Sequence, residues 1–282
     1  MSFTNRWLAV GIGVMFILPV FLTALSFYQL THIEPSAIVA GTPLVVTPTE
    51  TAVFPATSPT PTVDINQIVQ DGLDALKTGD YALAEILFRK AIVLLPEEAT
   101  PFNSLGLALF RQGKVEEAIV AYQTAVSLEP DLAEAAYNLG VAYLSTNQFS
   151  QAEKYLQQAI EADVHFAAAY ASLGELYLGR SEVDKAIAVL EEAVAHEAVS
   201  ATLYHSLGVA YVLAGRLEEG KVALETAVSL NPQSAPARYD LGILYLHLNQ
   251  PALARTQFEE ILSLAPGSEW AQEAQKQLNT TP

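Results

Sequence analysis

The side chains that most often carry chemistry are sparse and scattered in this chain. Its five histidines are His32, His165, His196, His205 and His247. A zinc-binding helix needs two histidines one turn apart, so that both imidazoles reach one ion. The stretch "HEAVS" at 196–200 offers His196 alone. The serine-nucleophile turn G-x-S-x-G, the phosphate-cradling G-x4-G-K-S/T and the dinucleotide loop G-x-G-x-x-G are absent, and "GIG" at 11–13 lies in an apolar run. Cysteine is absent too, which removes disulfides, thiolate ligands and lipidated thiols from consideration. No catalytic residue, metal or cofactor is expected, and the histidines are expected to be surface or groove polar groups. "NTT" at 279–281 matches a glycosylation acceptor, a match frequent by chance.

Charge narrows the partners. The formal net charge is −17, and all but two of the 31 acids and all but one of the 14 Lys and Arg fall within 64–282. A surface this acidic argues against nucleic acid and against anionic lipid, since both require a positive face. It suits a solvated outer surface or the steering of a basic partner.

The elements holding these residues repeat. Leu105-Gly106, Leu139-Gly140, Leu173-Gly174, Leu207-Gly208 and Leu241-Gly242 recur at one constant interval. Small residues return on the same beat at Ala84, Ala118, Ala152, Ala186, Gly220 and Ala254. Bluff side chains keep it as well: the bulky positions are Phe88, Tyr122, Leu156, Leu190, Leu224 and Phe258. A fixed period in the range of about 20–50 residues is the mark of a solenoid. Within one period Phe102, Leu105, Leu109 and Phe110 have helical spacing, as do Ala118, Tyr122 and Ala125. Between the two runs lies Gly113, suited to a helix C-cap because it reaches positive φ without a Cβ clash. Its equivalents are Gly79, Asn147, Ser181, Gly215 and Asn249. Each period therefore predicts a two-helix hairpin.

From those residues the chain resembles the tetratricopeptide repeat family, whose pattern is W-x2-L-G-x2-Y…A-x3-F-x2-A…P on a period of about 34 residues. The resemblance runs from 65 to about 266. It implies an all-α, right-handed superhelical solenoid of six helix-turn-helix units: 65–98, 99–132, 133–166, 167–200, 201–234 and 235–266. Asp71 and Arg238 depart from the usual apolar residues in the end units, as capping would explain. A C-terminal capping helix is expected in 267–282 with Ser268 as N-cap. Asp64 and Gln67 have capping-box spacing at the front.

The family also implies a ligand face on the first helix of each unit, at positions two, five, six, nine, twelve and thirteen. By register, position nine includes Leu107, Val141, Glu175, Val209 and Ile243, and position twelve includes Phe110 and Leu144. Position six includes Asn138, Ser172, Ser206 and Asp240, and position five includes Asn103, Tyr137, His205 and Tyr239. Family members that clamp a C-terminal carboxylate use Asn at position nine; here that row is aliphatic except Glu175, which is expected to point at solvent. An apolar track beside a ladder of small polar groups suits an amphipathic helix or an extended apolar peptide. The same aliphatics would also serve simply to pack one first helix on the next.

Before the repeats, Trp7–Tyr28 holds no charge and would span about 33 Å as a helix. It predicts a transmembrane signal anchor over 7–30, after a short tail at 1–6. A cleaved signal peptide ending near Ala24-x-Ser26 is the rival reading. Ala9 and Gly13 form a small-xxx-small pair of the kind that pairs membrane helices. Residues 31–63 carry six prolines and no helical period, as expected of a Pro/Thr-rich disordered linker. Arg6 before the apolar run and no Lys or Arg until Lys77 would place the repeats on the extracytoplasmic side. Together these features predict a single-pass, membrane-anchored scaffold that binds a protein or peptide in its groove. The alternative is a structural homo-oligomer of an envelope assembly.

Overall fold

A computed structural model of the chain describes residues 64–280. These form thirteen α-helices and no strand among the described residues. The hairpins are α1 (Ile65–Thr78) with α2 (Tyr81–Leu94), α3 (Ala99–Arg111) with α4 (Val115–Leu128), and α5 (Ala133–Ser145) with α6 (Phe149–Ala162). There follow α7 (Ala167–Gly179) with α8 (Val183–Ala195), α9 (Ala201–Leu213) with α10 (Leu217–Leu230), α11 (Ala235–His247) with α12 (Pro251–Leu264), and the terminal α13 (Glu269–Thr280).

Each hairpin is closed by one steric fit. A Cβ placed on Gly106 would lie 2.6 Å from the Tyr122 ring, and one on Gly208 would lie 2.6 Å from Leu224 Cγ. Gly72, Gly140, Gly174 and Gly242 make the equivalent approach to Phe88, Leu156, Leu190 and Phe258 on the second helix of the same unit. The bulky partner fills the notch left by the missing side chain and is at most 1% exposed in every unit. Ala84, Ala118, Ala152, Ala186 and Ala254 are wholly buried beside it and keep the backbones close. The reversal between the helices is equally uniform. Gly79, Gly113, Asn147, Ser181, Gly215 and Asn249 all adopt left-handed φ between 57° and 81°.

Helix α13 continues the period as a seventh first helix, since Glu269 lies one full repeat after Ala235. Where Leu-Gly would stand it has Gln275-Lys276, both exposed, with Lys276 paired to Glu273 at 2.5 Å. No second helix can approach a lysine as closely as it approaches glycine, so α13 lacks the notch of the six hairpins. Ser268 caps α13 by accepting from the Ala271 amide at 3.1 Å, and Trp270 packs on Tyr239 with ring centroids 5.5 Å apart. At the front, Asp64 accepts from the Gln67 amide at 3.2 Å.

One boundary differs from the rest. The second helices end in an extended residue, with φ of −131° at Leu95 and −137° at Glu129, but α8 stops a residue early. There Glu197 takes φ 58°, and the Ala198 amide bonds the Ala193 carbonyl at 2.9 Å, a left-handed C-terminal turn made without glycine. Across this boundary α7 and α9 pack directly on each other, more extensively than any other two first helices.

The expected membrane placement requires correction. No helix among the described residues is long and apolar enough to cross a membrane. The longest have 14 residues, as in α2, and so reach only about 21 Å, short of the roughly 30 Å of a hydrocarbon core. The anchor expected at 7–30 and the linker at 31–63 lie outside the described residues, so the described helices number thirteen where fourteen were expected with the anchor.

Two substitutions test this packing. Gly208→Ala gains helix propensity of up to about 1 kcal/mol but drives a methyl into Leu224, so a net loss of about 1–3 kcal/mol is expected in urea unfolding. Ser181→Gly removes a non-glycine residue from left-handed backbone and is expected to add about 1 kcal/mol.

Candidate functional site: the face of the first helices

The first helices bring the expected site residues onto one row of elements rather than into one pocket. Helices α1, α3 and α5 touch in sequence, as do α7, α9 and α11. Tyr137 bridges α5 and α7: its hydroxyl interacts with Ser172, and its ring meets Phe166 edge-on at 5.1 Å. Burial raises its pKa, with Glu175 adding to the rise. Asn103 at one end and Ile243 at the other belong to hairpins four units apart and share no contact.

The polar groups pair with each other. Asn138 Nδ2 donates to Asn103 Oδ1 at 3.0 Å, and His205 Nε2 meets Asp240 Oδ2 at 2.6 Å. With Tyr137–Ser172 these pairs all join position five of one unit to position six of the next. At the last junction position six is Ala274, and Gln277 Nε2 of α13, at position nine, donates to the Tyr239 hydroxyl at 3.3 Å instead. Ala171 breaks the series, because a methyl cannot bond Ser206. The Ser206 hydroxyl turns instead to Glu175 Oε1 at 3.0 Å. Glu175 is therefore partly buried between α7 and α9 and does not extend into solvent as expected.

The aliphatic rows are half closed. Leu107, Val141 and Ile243 at position nine are partly buried, as are Phe110 and Leu144 at position twelve, while Val209 is only 6% exposed. Ser206, Tyr239 and Asn103 are likewise withdrawn from the surface. The large apolar side chains that are well exposed lie elsewhere, among them Ile86, Val93, Val120 and Val222 on the second helices.

A cavity of about 190 Å³ opens beside the broken rung, between α7, α9 and α11. Glu175, Thr202, His205, Asn231, Ser234 and Pro236 line it. Thr202 and Pro236 occupy position two, a ligand position in the resemblance. Asn231 and Ser234 belong to the turn before α11, and nothing in their spacing marks them. A shallower cleft beside α13 occupies the space a seventh second helix would fill. No group of three or more His, Asp or Glu among the described residues has the arrangement of a metal site.

Electrostatics at the broken rung are one-sided. Burial raises the Glu175 pKa, opposed by the Ser206 hydrogen bond and the His205 charge. Burial alone would lower that of His205, but the hydrogen bond and charge of Asp240, with Glu175 beyond, raise it. For both groups the folded state holds the proton more tightly than the unfolded state does. Their stabilising effect is complete at low pH and fades as pH rises through the folded values. For His205 the loss falls above its ordinary value of about 6.5. The stability difference between the native chain and His205→Gln, followed by urea unfolding across neutral pH, is expected to shrink as pH rises. A pH-independent difference would remove the charged pair from this account of the junction.

Comparison with known proteins agrees with the geometry. Three family models match: one described as TPR repeat over residues 106–146, and two described as Tetratricopeptide repeat over 137–201 and 211–278. Together they cover more than half of the chain. No curated protein sequence matches. Among solved structures, the chain is similar to PilF of Pseudomonas aeruginosa, with 19% identity and a TM-score of 0.65, covering 75% of this chain and 96% of that one. It is similar to a chain of the APC/C Cut9–Hcn1 hetero-tetramer, with 22% identity and a TM-score of 0.64 over 75% of this chain, and spans 42% of that chain's length. It is similar also to YrrB, described as a TPR protein with an unusual peptide-binding site, with 22% identity and a TM-score of 0.50, covering 67% and 97% of the two chains. At these identities the structures speak to the fold. With one fixed repeat length, six closed hairpins and matching family models, this chain is a tetratricopeptide repeat protein.

Proposed function

We propose that the chain is a protein–protein interaction scaffold, without catalysis of its own, that holds a peptide or helix of a partner along the face of its first helices. The observation that carries this reading is the incompletely buried aliphatic row, Leu107, Val141 and Ile243, flanked by polar groups already paired to one another. Apolar side chains on that row have surface left to bury. The polar rungs have few hydrogen bonds left to give, so affinity is assigned to apolar side-chain contact rather than to capture of the partner's backbone by position six. The peptide-binding site named for YrrB, a structure of similar fold, supports the same reading.

Self-association is the second reading, favoured by the outer surface. Ile86 is 65% exposed, Val93 79% and Val120 62%, all on second helices and facing away from the polar ladder. Sedimentation equilibrium of the intact chain separates the two, since a scaffold of the first kind is monomeric without its partner.

Val141→Glu is the informative substitution. Val141 is only partly buried, so a carboxylate there reaches water and leaves the helices intact. Partner capture is expected to fall by about tenfold or more while the far-ultraviolet circular dichroism is unchanged. Val209→Glu is a poorer probe, because at 6% exposure the charge would be buried and the fold itself would suffer. Undiminished capture by folded Val141→Glu would overturn the reading.

A further inference from the structure

The break in the polar ladder leaves a carboxylate that the chain itself does not neutralise with Lys or Arg. We propose that the cavity between α7, α9 and α11 receives the cationic end of a lysine or arginine side chain projecting from the bound partner, with Glu175 as its counter-charge. This rests on the reading of the first-helix face as the binding face, and adds to it the chemistry of one anchor.

The argument is one of supply. Glu175 takes a hydrogen bond from the Ser206 hydroxyl, which satisfies one of its several lone pairs. The Lys and Arg between Arg180 and Arg238 are engaged elsewhere. Arg180 pairs with Glu153 at 2.5 Å, Arg216 with Glu191 and Glu219, Lys185 with Glu182, and Lys221 with Glu218. Arg238 donates to the Pro232 carbonyl and to Gln257. His205 is committed through Nε2 to Asp240, so its positive charge is matched there and Glu175 remains in excess.

The rest of the lining fits a cation as well. Thr202, Ser234 and Asn231 carry oxygen acceptors, and no Lys or Arg borders the cavity. Asn231 already accepts from the Gln233 amide at 3.1 Å and Ser234 from the Ala237 amide at 3.4 Å, which holds both oxygens in place. The N-termini of α9 and α11 also border the cavity and would favour an anion. Their first turns are capped from within, however, by Ser200 and Ser234, and Pro236 offers no amide hydrogen. At about 190 Å³ the space lies below the roughly 300–1,000 Å³ of small-molecule pockets and matches the end of one side chain. The net charge of −17 draws a basic partner toward it.

Three capped tripeptides serve as probes: acetyl-Leu-Lys-Leu-amide and its Gln and Glu counterparts. Binding to the full chain is followed by NMR of carboxyl-labelled glutamate, with the Glu175 signal identified by its loss in Glu175→Gln. The lysine peptide is expected to shift that signal and to bind about tenfold more tightly than the glutamine peptide, as one charge-assisted contact would give. That advantage is expected to vanish in Glu175→Gln, which retains the length and the Ser206 contact. Equal binding of the Lys and Gln peptides, a preference for the Glu peptide, a lysine preference that survives Glu175→Gln, or no shift with any probe would each overturn the proposal. None of these touches the broader reading, which falls only if folded Val141→Glu captures its partner normally.

Discussion

The whole array depends on a hole the size of one methyl group. In each hairpin a glycine on the first helix meets a bulky side chain on the second, and a Cβ would lie within 2.9 Å of it. That contact sets the spacing of the two helices, and the spacing sets how the next hairpin stacks. Because the fit recurs once in every unit, so does much that is built on it: the buried leucine before the glycine in every unit after the first, the left-handed reversal after the first helix, and the rows of side chains on the exposed face. In α13 Gln275-Lys276 stand at the register of Leu-Gly, and the notch is missing.

The second layer of order is polar. At three junctions position five of one unit pairs with position six of the next: Asn103 with Asn138 and His205 with Asp240 by hydrogen bonds, and Tyr137 with Ser172. Such bonds fix the register between neighbours while keeping half-buried amides and hydroxyls satisfied. The rung missing at Ala171 draws an acid into the gap, and the irregular end of α8 lies at the same unit boundary. The irregular helix ending and the rung missing at Ala171 thus coincide, and the cavity forms beside them.

The repeat, the hairpins and the buried positions were legible because they recur. Six copies of Leu-Gly or its variants report a shared backbone far more clearly than any one segment reports its own structure. The reversal at Ser181 shows this strength: a serine alone would not suggest left-handed backbone, but its register with Gly113 and Gly215 does. What recurs poorly was hidden. Glu175 read as a solvent-facing charge because its partner, Ser206, lies on another helix in the next unit, and the reason for their meeting is the absence of a side chain at Ala171 able to bond. Asn231 and Ser234 line the cavity from a turn, where the helical period says nothing. The rows at positions nine and twelve do fall on the first helices, but how far stacking closes them, as at Val209, depends on distances between helices that a sequence does not carry.

A partner held on the first-helix face should be reachable from that face and from no other. A photoreactive residue placed at Val141, or separately at Val120 on a second helix, can be activated in cells and its products identified by mass spectrometry. A discrete crosslinked product from 141 and none from 120 is the expected result. A product from 120 alone, in a chain shown to be folded, would move the interaction to the outer surface and contradict the role assigned here to the first helices.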